Sequence, residues 1–124
     1  MGCGRYRPIT GTTPAGTGAT YIVVECEENS SIQVIANGTV TFTVDYTLEN
    51  ILYDATAQSA VNIGNPNGRY VAPASAVWTN LIASGSADAQ AALVDGSGNQ
   101  IVPFAFRINI TVGTGSVTYT ITQG

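Results

Sequence analysis

The order of apolar and polar residues predicts an all-β protein, an antiparallel β-sandwich with an extended N-terminal arm. Three observations carry this. Strict two-residue alternation runs through residues 39–48 and 104–112, the signature of strands with one buried face. Turn-forming clusters punctuate the chain at Asn37-Gly38, Asn65-Pro-Asn-Gly68 and Gly113-Thr-Gly-Ser116, where positive φ or a fixed φ is needed. No segment holds a helical period long enough to stand alone. Seven or eight short strands result, and a jelly-roll-like order is among the arrangements they allow.

In chain order, residues 1–19 (MGCGRYRPITGTTPAGTGA) are rich in Gly, Thr and Pro. They read as an arm able to reach about 60 Å when extended, and residues 20–124 as a single domain. Tyr21 to Cys26 is a first short strand. Ser31 to Ala36 and Thr39 to Leu48 flank Asn37-Gly38, a dipeptide that predicts a type I′ hairpin. In the second of these, Val40, Phe42, Val44, Tyr46 and Leu48 share one face, and Thr41, Thr43, Asp45, Thr47 and Glu49 the other. Residues 50–75 are less regular, and Pro73 confines the segment after it to an edge or a loop. A strand over Ala76 to Ala83 carries Trp78, and residues 87–94 (ADAQAALV) read as strand or loop. Phe104, Phe106, Ile108, Ile110 and Val112 alternate with polar residues. A turn and the strand Val117 to Thr122 complete a C-terminal hairpin.

A chain of 124 residues fits one domain and buries roughly two thirds of its unfolded surface without staples. Charged residues are only 10 %, against about 25 % in ordinary domains, so Thr, Ser, Asn, Gln and Gly must cover the surface. Lys is absent. Arg5 and Arg7 lie in an acid-free leader, while from residue 8 onward two Arg meet eight carboxylates, 2 − 8 = −6. A basic arm on an acidic body suits an acidic protein partner. The body lacks the cations to neutralise phosphates, so no nucleic-acid partner is expected. Neither an apolar h-region nor a membrane-spanning run is present, which predicts cytosolic synthesis and no membrane partner. Cys26 alternates with Ile22 and Val24 and reads as a buried thiol, though a Cys3–Cys26 bridge stays open.

Residue types also limit chemistry. Without His there is no Ser–His–Asp or Cys–His constellation, and two distant Cys cannot supply a zinc site. Without Lys there is no Schiff base or P-loop. The carboxylates Glu25, Glu27, Glu28, Asp45 and Glu49 could form a glycosidase pair or a Ca²⁺ site, but an acidic solvated rim is the simpler reading. No enzyme activity and no cofactor are expected. Trp78 reads as core or interface, with sugar stacking in a carbohydrate-binding module as the competing role. Arg107 and Asn109 alternate away from the apolar face, which suits pairing with an acid on a neighbouring strand, such as Asp45, or on a partner. Thr-rich strands with few charges leave sheet edges open to association.

The strand Thr41-Phe-Thr-Val-Asp-Tyr-Thr-Leu-Glu-Asn50 is followed by Trp78, then by Pro103-Phe-Ala-Phe-Arg-Ile-Asn-Ile-Thr111, then by Gly115-Ser-Val-Thr-Tyr-Thr-Ile-Thr-Gln-Gly124. Over residues 39–124 this resembles small virion structural proteins of tailed bacteriophages. Those tend to carry a YTLDD-like strand, a Trp, an (I/F)RLN(V/I)T-like strand and a terminal TVTLTVxQG-like strand. Tyr46, Leu48, Trp78, Arg107 and Asn109 stand at matching positions. The resemblance implies a virion component, most naturally a capsid decoration or cement protein on the capsid surface. Its partners would be the major capsid protein and neighbouring copies of itself in a homo-oligomer. A tail, fibre or head-fibre adhesion module binding host carbohydrate is the alternative. The arm has no counterpart in this resemblance. Its residues read as a basic arm that reaches a neighbouring subunit, and within the assembly that the resemblance implies, Arg5, Tyr6, Arg7, Pro8 and Ile9 are expected to lie along capsid protein or an adjacent copy.

Overall fold

The computed structural model describes residues 8–24, 30–49, 51 and 73–123. Among these residues, eight strands form two four-stranded antiparallel sheets: β1 (Ile9–Thr12), β2 (Gly18–Val23), β3 (Ser30–Asn37), β4 (Val40–Thr47), β5 (Thr79–Gly85), β6 (Ala89–Ala92), β7 (Ala105–Gly113) and β8 (Ser116–Gln123). The strand order is β1-β8-β3-β6 in the first sheet and β2-β7-β4-β5 in the second. Each odd–even pair, β1–β2, β3–β4, β5–β6 and β7–β8, passes from one sheet to the other, and the two sheets repeat the same order of pairs. This is a jelly roll: a ribbon of four long antiparallel segments folded once over its own apolar face.

The core lies between the sheets. Ile32 and Val34 of β3 and Val117 and Ile121 of β8 meet Phe42 and Val44 of β4 and Phe106, Ile108 and Ile110 of β7, all buried. Burying a side chain of this kind stabilises the fold by about 1.5–3 kcal/mol. Leu93, just past β6, closes one end, its amide bonded to the carbonyl of Ser30 at 3.0 Å.

Four sequence expectations change. First, neither glycine turn makes a hairpin. Asn37 stays in β3, and only Gly38 takes positive φ (+84°), so the two-residue positive-φ turn of type I′ does not form. β3 and β4 lie in different sheets, as do β7 and β8. The two crossovers pack side by side: the Gly115 amide donates to the Thr39 carbonyl at 2.9 Å, and Gly16 donates to Gly115 at 2.9 Å. A local turn signal reverses the chain but does not say which sheet receives it.

Second, residue 19 is not a boundary of the fold. Ile9–Thr12 pairs with β8, and Gly18–Val23 pairs with β7 over its whole length. Ile9 packs against the core cluster opposite Ile121. Gly11 lies where a Cβ would stand 2.7 Å from Tyr119 Cζ, so its missing side chain makes room for that ring. Low apolar content concealed a strand whose residues serve by small size and backbone pairing.

Third, Val112 leaves the apolar face and is 61 % exposed. The β4–β7 register runs Thr41↔Val112 and then Phe42↔Ile110, so Thr111 is an extra residue. Such a bulge advances the alternation by one and turns the next side chain outward.

Fourth, Leu48 is 65 % exposed although it alternates with Val44 and Tyr46, because β4 ends at Thr47 and the chain bends there. The strand expected at Ala76 begins at Thr79, after a 3-10 turn at Pro73–Ser75. Residues 87–94 contain strand β6.

The two ends of the sandwich differ. The β1–β2, β3–β4, β5–β6 and β7–β8 links are short turns at one end. At the opposite end lie, among the described residues, 48–49 after β4, the 3-10 turn at Pro73–Ser75 and residues 93–104.

Candidate interaction surfaces

The outer face of the second sheet carries a polar row. Register aligns Tyr21 of β2, Arg107 of β7, Asp45 of β4 and Asn80 of β5 across all four strands. Arg107 donates from Nε (2.9 Å) and Nη2 (2.7 Å) to Asp45 Oδ2, and Asn80 Nδ2 donates to Asp45 Oδ1 at 2.8 Å. Both carboxylate oxygens are thereby satisfied, as a carboxylate only 6 % exposed requires. Period-two alternation alone placed Arg107 and Asp45 on outward faces, and the pairing expected for them is present.

Trp78 covers this row. Its ring lies 4.8 Å from the Arg107 guanidinium carbon and 5.6 Å from the Tyr21 ring. Its Nε1 donates to the Pro73 carbonyl at 2.9 Å. The indole is half-buried, with a cation over its ring and its single donor already used. The indole thus packs on the sheet against the Arg107 guanidinium and the Tyr21 ring. Asn109 sits one outward position further along β7, opposite Thr43 and Ala19. Tyr46 packs against the core cluster.

The outer face of the first sheet is of different material. Its rows are Thr10–Thr120–Gln33–Gln90, Thr122–Ser31–Ala92 and Thr12–Thr118–Ile35. None of these residues is charged. Near the short-turn end the hydroxyls bond one another: Thr12 and Thr118 at 3.0 Å, with Asn37 Nδ2 donating to Thr118 Oγ1 at 2.9 Å. Toward the other end, Ser31, Gln33, Gln90, Ala92, Thr120 and Thr122 line a groove of about 360 Å³. Among the described residues, the side chains of Gln33, Gln90, Thr120 and Thr122 hold no hydrogen bond. The face therefore offers unspent donors and acceptors on a chain of net charge −4.

Sequence reasoning missed this groove. Alternation shows that Gln33, Gln90 and Thr120 point outward, but their three strands are far apart in the chain and only the topology makes them neighbours. Tyr21 and Asn80 were missed for the same reason.

Of the arm residues expected to contact a partner, Pro8 is exposed and Ile9 is half-buried against the core. Arg5, Tyr6 and Arg7 lie outside the described residues, as do Cys3, Cys26 and the carboxylates Glu25, Glu27 and Glu28. At the 93–104 end, Asp95 Oδ1 accepts from the amides of Ser97 (2.8 Å) and Asn99 (2.9 Å). These bonds hold the Asp95 carboxyl below the usual aspartate range, the Asn99 amide contributing most. Among the described residues, these bonds of the Asp95 carboxylate stay within this loop. No protein-family model and no curated protein matches this sequence.

Proposed function

We propose that this protein is a non-enzymatic virion structural protein that binds and reinforces a bacteriophage capsid, as decoration or cement proteins do. The observation that carries this reading is the uncharged outer face of the first sheet, with free amides and hydroxyls at Gln33, Gln90, Thr120 and Thr122. A chain of net charge −4 repels acidic surfaces, and a four-strand face without charge is where it can dock at least electrostatic cost. Many copies docking weakly on a repeating lattice hold it together through multivalency. Jelly rolls serve in viral capsid proteins, but also in lectins and cupins, so the fold supports the reading only by analogy. The motif resemblance over residues 39–124 supports it independently.

The double variant Gln33→Glu/Gln90→Glu tests it. Two carboxylates in the groove should abolish saturation of purified capsids while leaving the unfolding midpoint within experimental scatter. Variant protein that fills capsids like the parent would overturn the reading. A second reading, an adhesion module for host carbohydrate, is favoured by the fit of groove amides to sugar hydroxyls. It predicts that isolated host polysaccharide binds the parent and not this variant. The role of the arm is tested by deleting residues 2–7 only, since a longer deletion removes β1.

A further inference from the structure

Four strands form the lateral edges of the two sheets: β1 and β6 of the first, β2 and β5 of the second. An open edge presents unpaired N–H and C=O groups, and proteins that avoid association block it. Three of these edges are blocked. β5 breaks register twice against β4, and Ser84 within it takes φ +43°. β6 has four residues framed by Asp88 and Asp95. β1 has four residues between Pro8 and Pro14, neither of which has an N–H to offer. β2 has none of these devices. Its six residues, Gly-Ala-Thr-Tyr-Ile-Val, pair with β7 in unbroken register and include no charge and no proline. Among the described residues, no backbone hydrogen bond of Gly18–Val23 lies outside that ladder. Gly18, Ala19 and Tyr21 are exposed.

We infer that β2 pairs edge to edge with β2 of a second copy, antiparallel about a twofold axis, joining two four-stranded sheets into one of eight. Charge selects this occupant. Two copies of net charge −4 repel each other over most contacts, but a strand without charge meets itself without penalty. The same patch serves both copies, as a twofold contact requires. Antiparallel pairing also sends the carboxyl ends of the two strands apart. A twofold axis perpendicular to the joined sheet generates this arrangement. Tyr21 falls near the axis, where an aromatic beside β-branched Thr20 and Ile22 strengthens a cross-strand pair. This surface is separate from the groove of the first sheet, so the inference stands beside the capsid reading and does not rest on it.

Sedimentation velocity on the full chain, over a wide concentration range, tests it with two variants of equal charge. Ala19→Glu places a carboxylate on the β2 edge, and Ala83→Glu places one on β5. The parent and Ala83→Glu should form dimers with similar dissociation constants, and Ala19→Glu should weaken the dimer by about tenfold or more. Hydrogen exchange on the unaltered chain tests the same contact without substitution: amides of residues 18–23 should slow as concentration rises, and those of β5 should not. A parent that stays monomeric, or an Ala19→Glu variant that associates as tightly as Ala83→Glu, overturns the inference. Either result leaves capsid binding through the groove to be judged by its own experiment.

Discussion

Replacing Arg107 by Met keeps the aliphatic stem over the sheet and deletes the charge. Asp45, 6 % exposed in the parent, then keeps Asn80 as its one remaining partner among the described residues, because Oδ2 loses both of its donors. Stranding a buried carboxylate costs about 3–5 kcal/mol. The retained Asn80 bond sets the expectation at the low end, about 3 kcal/mol. With a urea slope of about 2 kcal/mol/M for a domain of this size, the midpoint should fall by about 1.5 M. Asp45→Asn should be milder, about 1–2 kcal/mol. The Arg107 side chain is 24 % exposed and keeps Trp78 beside it, so it can turn to water. Replacing both residues by apolar ones, Asp45→Leu with Arg107→Met, should recover much of the loss, since no buried charge is left. Equilibrium urea unfolding followed by far-ultraviolet circular dichroism measures all three. Trp78 fluorescence is the second probe, with its baseline refitted because Arg107 touches it. An Arg107→Met variant within about 0.5 kcal/mol of the parent, or one less destabilised than Asp45→Asn, would refute the account of a buried carboxylate held by its partner.

Three further outcomes are expected from the geometry. Ile110→Thr should cost about 2 kcal/mol or more as a buried apolar residue becomes polar, while Val112→Thr should change stability by less than about 0.5 kcal/mol; equal effects in urea unfolding would mean the Thr111 bulge is absent. Gly113→Ala should destabilise by about 2 kcal/mol or more, because Gly113 sits at φ +108° with Val40 Cα 3.0 Å from the new Cβ. Gly96→Ala, with nothing within 4 Å, should be nearly neutral, and thermal unfolding compares the two. The Asp95 carboxyl titrates below the ordinary aspartate range. A folded-state pKa that is depressed gives order that is complete above the unfolded value and is lost as pH falls through the folded one. The Ser97 and Asn99 amide resonances should therefore hold their positions through the ordinary aspartate range and shift only below it. A midpoint at or above that range contradicts the hydrogen bonds.

Strands were legible wherever a buried face imposed alternation. β4 and β7 lie within a residue or two of their expected bounds because Phe42, Val44, Phe106 and Ile108 must all reach the core. Arg107 and Asp45 were legible as partners because both break the apolar pattern on the outward face of long strands. The arm misled because β1 is an edge strand. Half of its side chains face water, and Gly11 contributes by leaving space for Tyr119, which composition reads as absence of structure. The groove was illegible because Gln33, Gln90 and Thr120 come from three separate strands.

The sequence alone determined the all-β class, the burial of alternate residues, the lack of Lys and His, and the acidic, sparsely charged surface. These are local or additive properties, set by each residue and its near neighbours. Tertiary structure decided which sheet each strand enters, where bulges turn Val112 outward and break the β5 edge, and which strands lie at the sheet edges. Those depend on pairings between residues up to more than a hundred positions apart, such as Ile9 with Ile121. Alternation says that a strand has a buried face, but many partners satisfy it. The choice among them is made only when the whole ribbon folds over one core.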